Sequence, residues 1–310
     1  MIAAGILVAL TASVANAFAI VLQAGEDRRS PTSQAGRFAL FADLLRRPRW
    51  VAGTGLMVFA WPLQILALGL APITVVQPTL STSQLVLLAV ARLKLHEQVG
   101  WFEAFGGLAI VTGVTAVIVS APHHSVADPP VGRVAVTLAV VGVGALTAYL
   151  FGRLRPDHAL ALVVGAGLAY AWVDFVNKLL ADDISSGRWV LAIVWLAATI
   201  AFGALAFLQE TSALQRRPAV TVSPVVGAVQ DPLPVLMALF AGVEVWSSAP
   251  GKLVALIYGL ALLTAGAAIL GRSKAVARVS AGQSPPTGSR HRLGFCAPDG
   301  SWRGAGSPDA

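Results

Sequence analysis

Apolar residues along the chain gather into nine runs, at 2–22, 50–70, 73–92, 102–120, 134–152, 158–180, 189–208, 219–241 and 252–271, with short polar stretches between them. Each run is close to the about 20 residues that a helix needs to cross the hydrocarbon core of a bilayer. None shows the alternation of a membrane β-strand, and lipid gives an unpaired backbone no partner. The pattern therefore predicts an all-α integral membrane protein with nine transmembrane helices. The first run contains Ala15-Asn16-Ala17, a pattern that suits signal peptidase. It lacks the basic segment of a signal peptide, so a retained first helix is expected.

Composition sharpens this reading. Hydrophobic residues make up 56% and charged residues 12% of the 310, and mean hydropathy is +0.74. A soluble domain has about 45–50% apolar and about 25% charged residues. The net charge of +7 is not a nucleic-acid footprint, because the basic residues flank the apolar runs. With nine spans and the N-terminus outside, 18 of the 22 Lys and Arg fall on the cytoplasmic side. This is the positive-inside pattern. It predicts a multi-pass protein of the plasma membrane with a cytoplasmic C-terminus. Cysteines introduced at Ser33 and Ser125 are expected to label from opposite sides, Ser125 from outside. Labelling of both from one side would reject the nine-span topology. Residues 273–310, rich in Ser, Pro, Gly and Arg, read as a disordered cytoplasmic tail. Cys296 is the only cysteine, so no intrachain disulfide exists.

A repeat organises the spans. PITVVQPTLSTSQ (72–84) and PAVTVSPVVGAVQ (218–230) share proline, five residues, proline, five residues, glutamine. Pro72, Pro78 and Gln84 thus match Pro218, Pro224 and Gln230. Leu63-Gln64 and Leu208-Gln209 lie just ahead of each copy, and Thr112-Gly113 matches Ala265-Gly266. Spans 1–4 pair with spans 6–9, and span 5 connects them. The odd connector inverts the second copy. Inverted repeats with proline-broken helices place a binding site near the membrane midplane, between the copies. The expected organisation is a first repeat at 1–122, a connector at 123–157, a second repeat at 158–272 and the tail at 273–310.

The segment from LLRRPRW to SAP (44–122), with Ala-Pro-x-x-x-x-x-Pro and a closing Glu97, resembles the first repeat of the NIPA-like branch of the drug/metabolite transporter superfamily. ALQRRPAVTVSPVVGAVQDPLPVLMALFAGVE (213–244) resembles the wider superfamily's proline-containing span, and Lys178 matches its lysine at the end of the first helix of the second repeat. The resemblance implies a polytopic carrier or channel, and in the NIPA branch it implies magnesium.

Ionisable groups inside a membrane are functional candidates by default. Asp174 and Lys178 are four residues apart and share a helix face. They form either an ion pair that hides both charges or a coupled pair facing a cavity. Asp231 follows Gln230 and precedes Pro232, where a carboxylate either caps a helix end or receives a cation or proton. Asp174 and Asp231 are the candidate metal ligands. Glu103 and Glu210 read as interfacial. Gln64, Gln77, Pro78, Gln84, Asn177, Gln209, Pro224 and Gln230 complete the candidate pathway, the amides because they either pack between helices or meet solute. His123-His124 near Asp128 is too few ligands for a metal site.

No P-loop, GxSxG or HExxH motif occurs, so an enzyme is not expected. The expected function is movement of a small solute by alternating access. A magnesium or divalent-cation pathway and a non-transporting membrane scaffold are the alternatives. Partners are the lipid bilayer and a small solute or cation; a homodimer is compatible with this. No resident cofactor is expected, and Mg²⁺ would enter as cargo.

Overall fold

In the computed structural model, residues 2–27, 46–95, 100–120, 129–155, 158–216, 219–244 and 250–272 are described. Glu97, His123-His124, Asp128, Pro218 and the tail lie outside them. The elements are α1 (Ile2–Asp27), α2 (Pro48–Leu70), α3 (Ile73–Leu80), α4 (Ser83–Leu95), α5 (Trp101–Ser120), α6 (Val131–Leu154), α7 (Ala159–Ser185), α8 (Trp189–Arg216), α9 (Ala219–Gln230), α10 (Leu233–Ala241) and α11 (Pro250–Arg272). No strand occurs among the described residues. Eight helical stretches are long and apolar enough to cross a membrane, the third of them running over α3 and α4.

The ninth expected span, 219–241, is not one long helix. It divides at Asp231-Pro232 into α9 and α10, of 12 and 9 residues. Pro232 and Pro234 have no N–H, so the helical ladder loses two donors within three residues. The first copy divides too, at Ser81-Thr82, between α3 and α4. There Pro78 and the hydroxyls of Ser81 and Thr82, which bond back to the Gln77 and Thr79 carbonyls, disturb the ladder.

α7 is the central helix. Of its apolar window 67% is buried, against 17% for α6 and for α8. Phe175, Ala166, Ala169, Ala171 and Val176 are all fully buried on it. It packs against α8, α6, α9 and α2, while α1 lies on α2 and α3 touches α10. Large apolar side chains such as Leu7, Val58, Leu108, Val140, Ile193 and Val254 point outward. In water such a surface would drive aggregation, and in lipid it is a solvent-matched belt.

α5 and α11 approach closely through glycine. A Cβ on Gly113 would lie 2.8 Å from the Gly259 carbonyl oxygen, and one on Gly266 would lie 2.7 Å from the Gly106 carbonyl oxygen. Rising residue numbers on α5 meet falling numbers on α11, so the pair is antiparallel. A Cβ on the neighbouring Gly107 would instead meet Leu85 at 3.4 Å, an ordinary contact.

Candidate functional site

Asp174 sits near the middle of α7 and is 7% exposed. Three glutamine amides donate to it: Gln64 Nε2 of α2 at 3.1 Å, Gln77 Nε2 of α3 at 2.8 Å and Gln230 Nε2 of α9 at 3.1 Å. An ionised carboxylate only accepts, so each glutamine presents its NH₂ side. Three charge-assisted bonds fix the side chain at the point where four helices meet. Asp231 stands next to this cluster, in the turn between α9 and α10. It is close enough to Asp174 for the two carboxylates to repel, and it directly follows Gln230, which bonds Asp174. Two oxygens here are buried without a partner, Gln77 Oε1 and Asp231 Oδ2. Gln84 is half-buried and faces Gly227 of α9. Pro78 is buried inside α3. Pro224 lies within α9, with its side chain outside the described set.

The expected pairing of Asp174 with Lys178 is not what forms. Lys178 is 2% exposed, and its Nζ donates to the Leu68 carbonyl at 2.9 Å and to Asp182 Oδ1 at 2.7 Å. The cause is Pro72. It stands four residues after Leu68 and has no N–H, so that carbonyl lacks its helical donor. Lys178 supplies one, and that reach carries the ammonium toward Asp182 and away from Asp174.

Asn177 and Gln209 also leave the cluster. Asn177, fully buried, accepts from Thr199 Oγ1 of α8 at 3.3 Å and leaves Nδ2 unpartnered. Gln209 is fully buried against Gly165, with both amide atoms unpartnered. Glu210, expected at the interface, accepts from the Tyr170 hydroxyl at 2.7 Å. These residues line the contact of α7 with α8.

Sequence reasoning missed a second polar group at the end where α7 finishes. Glu244 is 4% exposed and accepts from the Ile73 N–H at 2.6 Å and from the Thr74 hydroxyl. It caps the N-terminus of α3 from residues far along the chain, satisfying donors that a helix start leaves open. Asp183 accepts from Arg188 Nε at 2.5 Å and from Trp195 Nε1 at 2.8 Å. The signal for Glu244 was available, because it closes the second copy as Glu97 closes the first.

Among the described residues no group of three or more His, Cys, Asp or Glu is placed to hold a metal ion. Asp174 and Asp231 are a pair of carboxylates, with neutral amides and a hydroxyl around them. No protein family, no curated protein and no solved structure matches the chain. The many long apolar helices are those of a multi-pass membrane protein.

Proposed function

We propose that the chain is a membrane transporter of the drug/metabolite type, moving a small solute by alternating access between two inverted repeats. The observation that carries this reading is the position of Asp174. It is bonded by α2 and α3 of the first half and by α9 of the second, and it lies beside both helix breaks. Broken helices at a polar centre are where carriers bind their cargo.

The packing supports two related halves. α1 lies on α2 and on α3 as α7 lies on α8 and on α9, and α3 touches α5 as α9 touches α11. The glycine contacts fit the same relation. Gly106 and Gly259 are 153 residues apart, as are Gly113 and Gly266, and each glycine meets the counterpart of the other's position. Such reciprocity is what a two-fold axis between α5 and α11 produces. The same relation makes span 5, here α6, the connector, and gives nine passages if α9 and α10 together count as one.

A magnesium or other divalent pathway, as the NIPA resemblance implies, is the second reading. The second carboxylate, Asp231, beside Asp174 favours it, since Mg²⁺ usually meets one or two carboxylates.

Uptake into proteoliposomes decides between them, with a panel of small metabolites and Mg²⁺ as cargo. Gln230→Leu removes a bond to a charged acceptor worth about 1.5–3 kcal/mol. Uptake is expected to fall about tenfold or more, and Gln84→Leu is expected to impair it as well. Gln98→Leu, in a loop read as cytoplasmic, is the control. Loss of Mg²⁺ uptake in Asp231→Asn with metabolite uptake intact would select the magnesium reading. Full activity in Gln84→Leu, Gln230→Leu and Asp231→Asn together would remove the central cluster from the path.

A further inference from the structure

The central cluster leaves two buried acceptor oxygens without a donor. Asp174 takes one N–H from each of the NH₂ groups of Gln64, Gln77 and Gln230. Gln77 is 4% exposed and its Oε1 has no partner. Reversing that amide gives no relief, because it would turn the oxygen against Asp174. Asp231 Oδ2 is buried and unpartnered as well. The Ser81 hydroxyl proton is given to the Gln77 carbonyl at 3.3 Å. Pro232 and Pro234 have no N–H to return to the Ala228 and Gln230 carbonyls. The C-terminal ends of α3 and α9 meet at Ser81 and Asp231, and a helix C-terminus carries partial negative charge.

Positive charge is missing from this list. Among the described residues no Lys, Arg or His side chain bonds Asp174 or Asp231, and Lys178 is turned to Leu68 and Asp182. Charge buried at this depth calls for a positive counterpart. A bridging water would donate to both open oxygens but leave the charge unmatched.

We infer that the break between α3 and α4 and the turn between α9 and α10 together bind one dehydrated monovalent metal cation, held by Asp231 Oδ2, Gln77 Oε1 and the carbonyls that the prolines leave open. Asp174 anchors Gln77 in the orientation that aims its oxygen at the ion. The inference rests on the reading of this cluster as the transport site, and adds the class of ion that occupies it. One open carboxylate oxygen among neutral carbonyls matches a single positive charge. Half-helix C-terminal ends and unwound carbonyls serve Na⁺ in broken-helix transporters. Mg²⁺ holds several waters in a strict octahedron, and a residue as buried as Gln77 leaves them little room.

The test uses the purified full-length chain, with radioactive Na⁺ as the probe and choline as the replacement cation. Saturable binding near one ion per chain is expected, together with a rise in the thermal unfolding temperature when Na⁺ replaces choline. Asp231→Asn and Gln77→Leu are expected to weaken binding about 10- to 100-fold, as loss of supporting groups does at other metal sites. Gly55→Ala, where a Cβ meets nothing within 4 Å, should leave it unchanged. Absence of saturable Na⁺ binding and of any thermal shift in the wild type would overturn the inference without any variant having to fold. So would binding unaltered in both variants, or Mg²⁺ displacing Na⁺ at lower concentration than Na⁺ itself requires. Solute uptake without Na⁺ binding sinks this inference alone, whereas Na⁺ binding without uptake of any solute sinks the carrier reading alone.

Discussion

Asp174→Leu is expected to destabilise the folded chain strongly in detergent. The substitution leaves the amides of Gln64, Gln77 and Gln230 without their acceptor. A buried donor left unpaired costs about 1–3 kcal/mol; Gln77 is buried and Gln64 and Gln230 half-buried, so a loss of about 2–3 kcal/mol is expected. Asp174→Asn should be milder. It keeps one acceptor oxygen, but it turns an NH₂ toward amides that are themselves donors. The check is thermal unfolding of the purified protein, followed by the monodisperse fraction in size-exclusion chromatography. Removing donor and acceptor together is gentler than removing one. Asp174→Leu combined with Gln77→Leu should therefore lose less than the sum of the two single changes. Stability of Asp174→Leu equal to wild type would mean that the carboxylate does not organise the centre. A second arm tests the pairing directly. If Asp174 and Lys178 were partners, Asp174→Asn would be rescued by Lys178→Gln. No rescue is expected, because Lys178 bonds the Leu68 carbonyl and Asp182. Removing it should add a second defect.

Much of this centre was legible in the sequence, and the reason is the medium. In a membrane, polar residues are few and must find one another, so Asp174, Gln64, Gln77 and Gln230 stand out from the apolar runs that carry them. The twin prolines likewise point to broken helices, but Pro78 and Pro224 lie inside α3 and α9, and the breaks come after them, at Ser81-Thr82 and Asp231-Pro232. What the chain did not reveal was partner choice. Lys178 has a carboxylate four residues before it and another four residues after it, so spacing leaves a tie. The tie is broken by a carbonyl 110 residues away, opened by Pro72. A proline four residues after Leu68 did announce an unpaired carbonyl; which side chain would reach it is a fact of tertiary packing. The position of Glu244 at the close of the second copy was legible, but its burial and its partners were not, for the same reason. It stands at the end of a span, where a glutamate reads as a solvated cap, and it becomes buried only because α3 begins beside it. The division of 219–241 follows from local chemistry, since Asp231-Pro232 and Pro234 interrupt a run whose hydropathy alone predicts one helix.

Gly259→Leu is expected to prevent α5 and α11 from packing and to reduce the yield of folded protein to a small fraction of wild type. A Cβ at Gly259 would lie 2.7 Å from Val117 Cγ2, 2.9 Å from the Gly113 carbonyl oxygen and 3.0 Å from the Val117 nitrogen. Two of those three atoms are backbone, which has no rotamer to change. The helices must separate, and close packing is what drives helix association where lipid is as apolar as leucine. Even Gly259→Ala should cost about 1–3 kcal/mol as an overpacked contact. Gly113→Ala should cost a similar amount, because a Cβ there would meet the Gly259 carbonyl oxygen and the Leu263 nitrogen, each at 2.8 Å. The two share one contact, so the double change should lose less than the sum of the singles. Gly132→Ala, at a position with nothing within 4 Å, should behave as wild type. Thermal stability of the five purified variants measures these effects. Gly259→Leu folding as well as Gly132→Ala would show that α5 and α11 do not cross at these glycines. The pairing of Thr112-Gly113 with Ala265-Gly266, visible in the bare sequence, would then lose its physical reason.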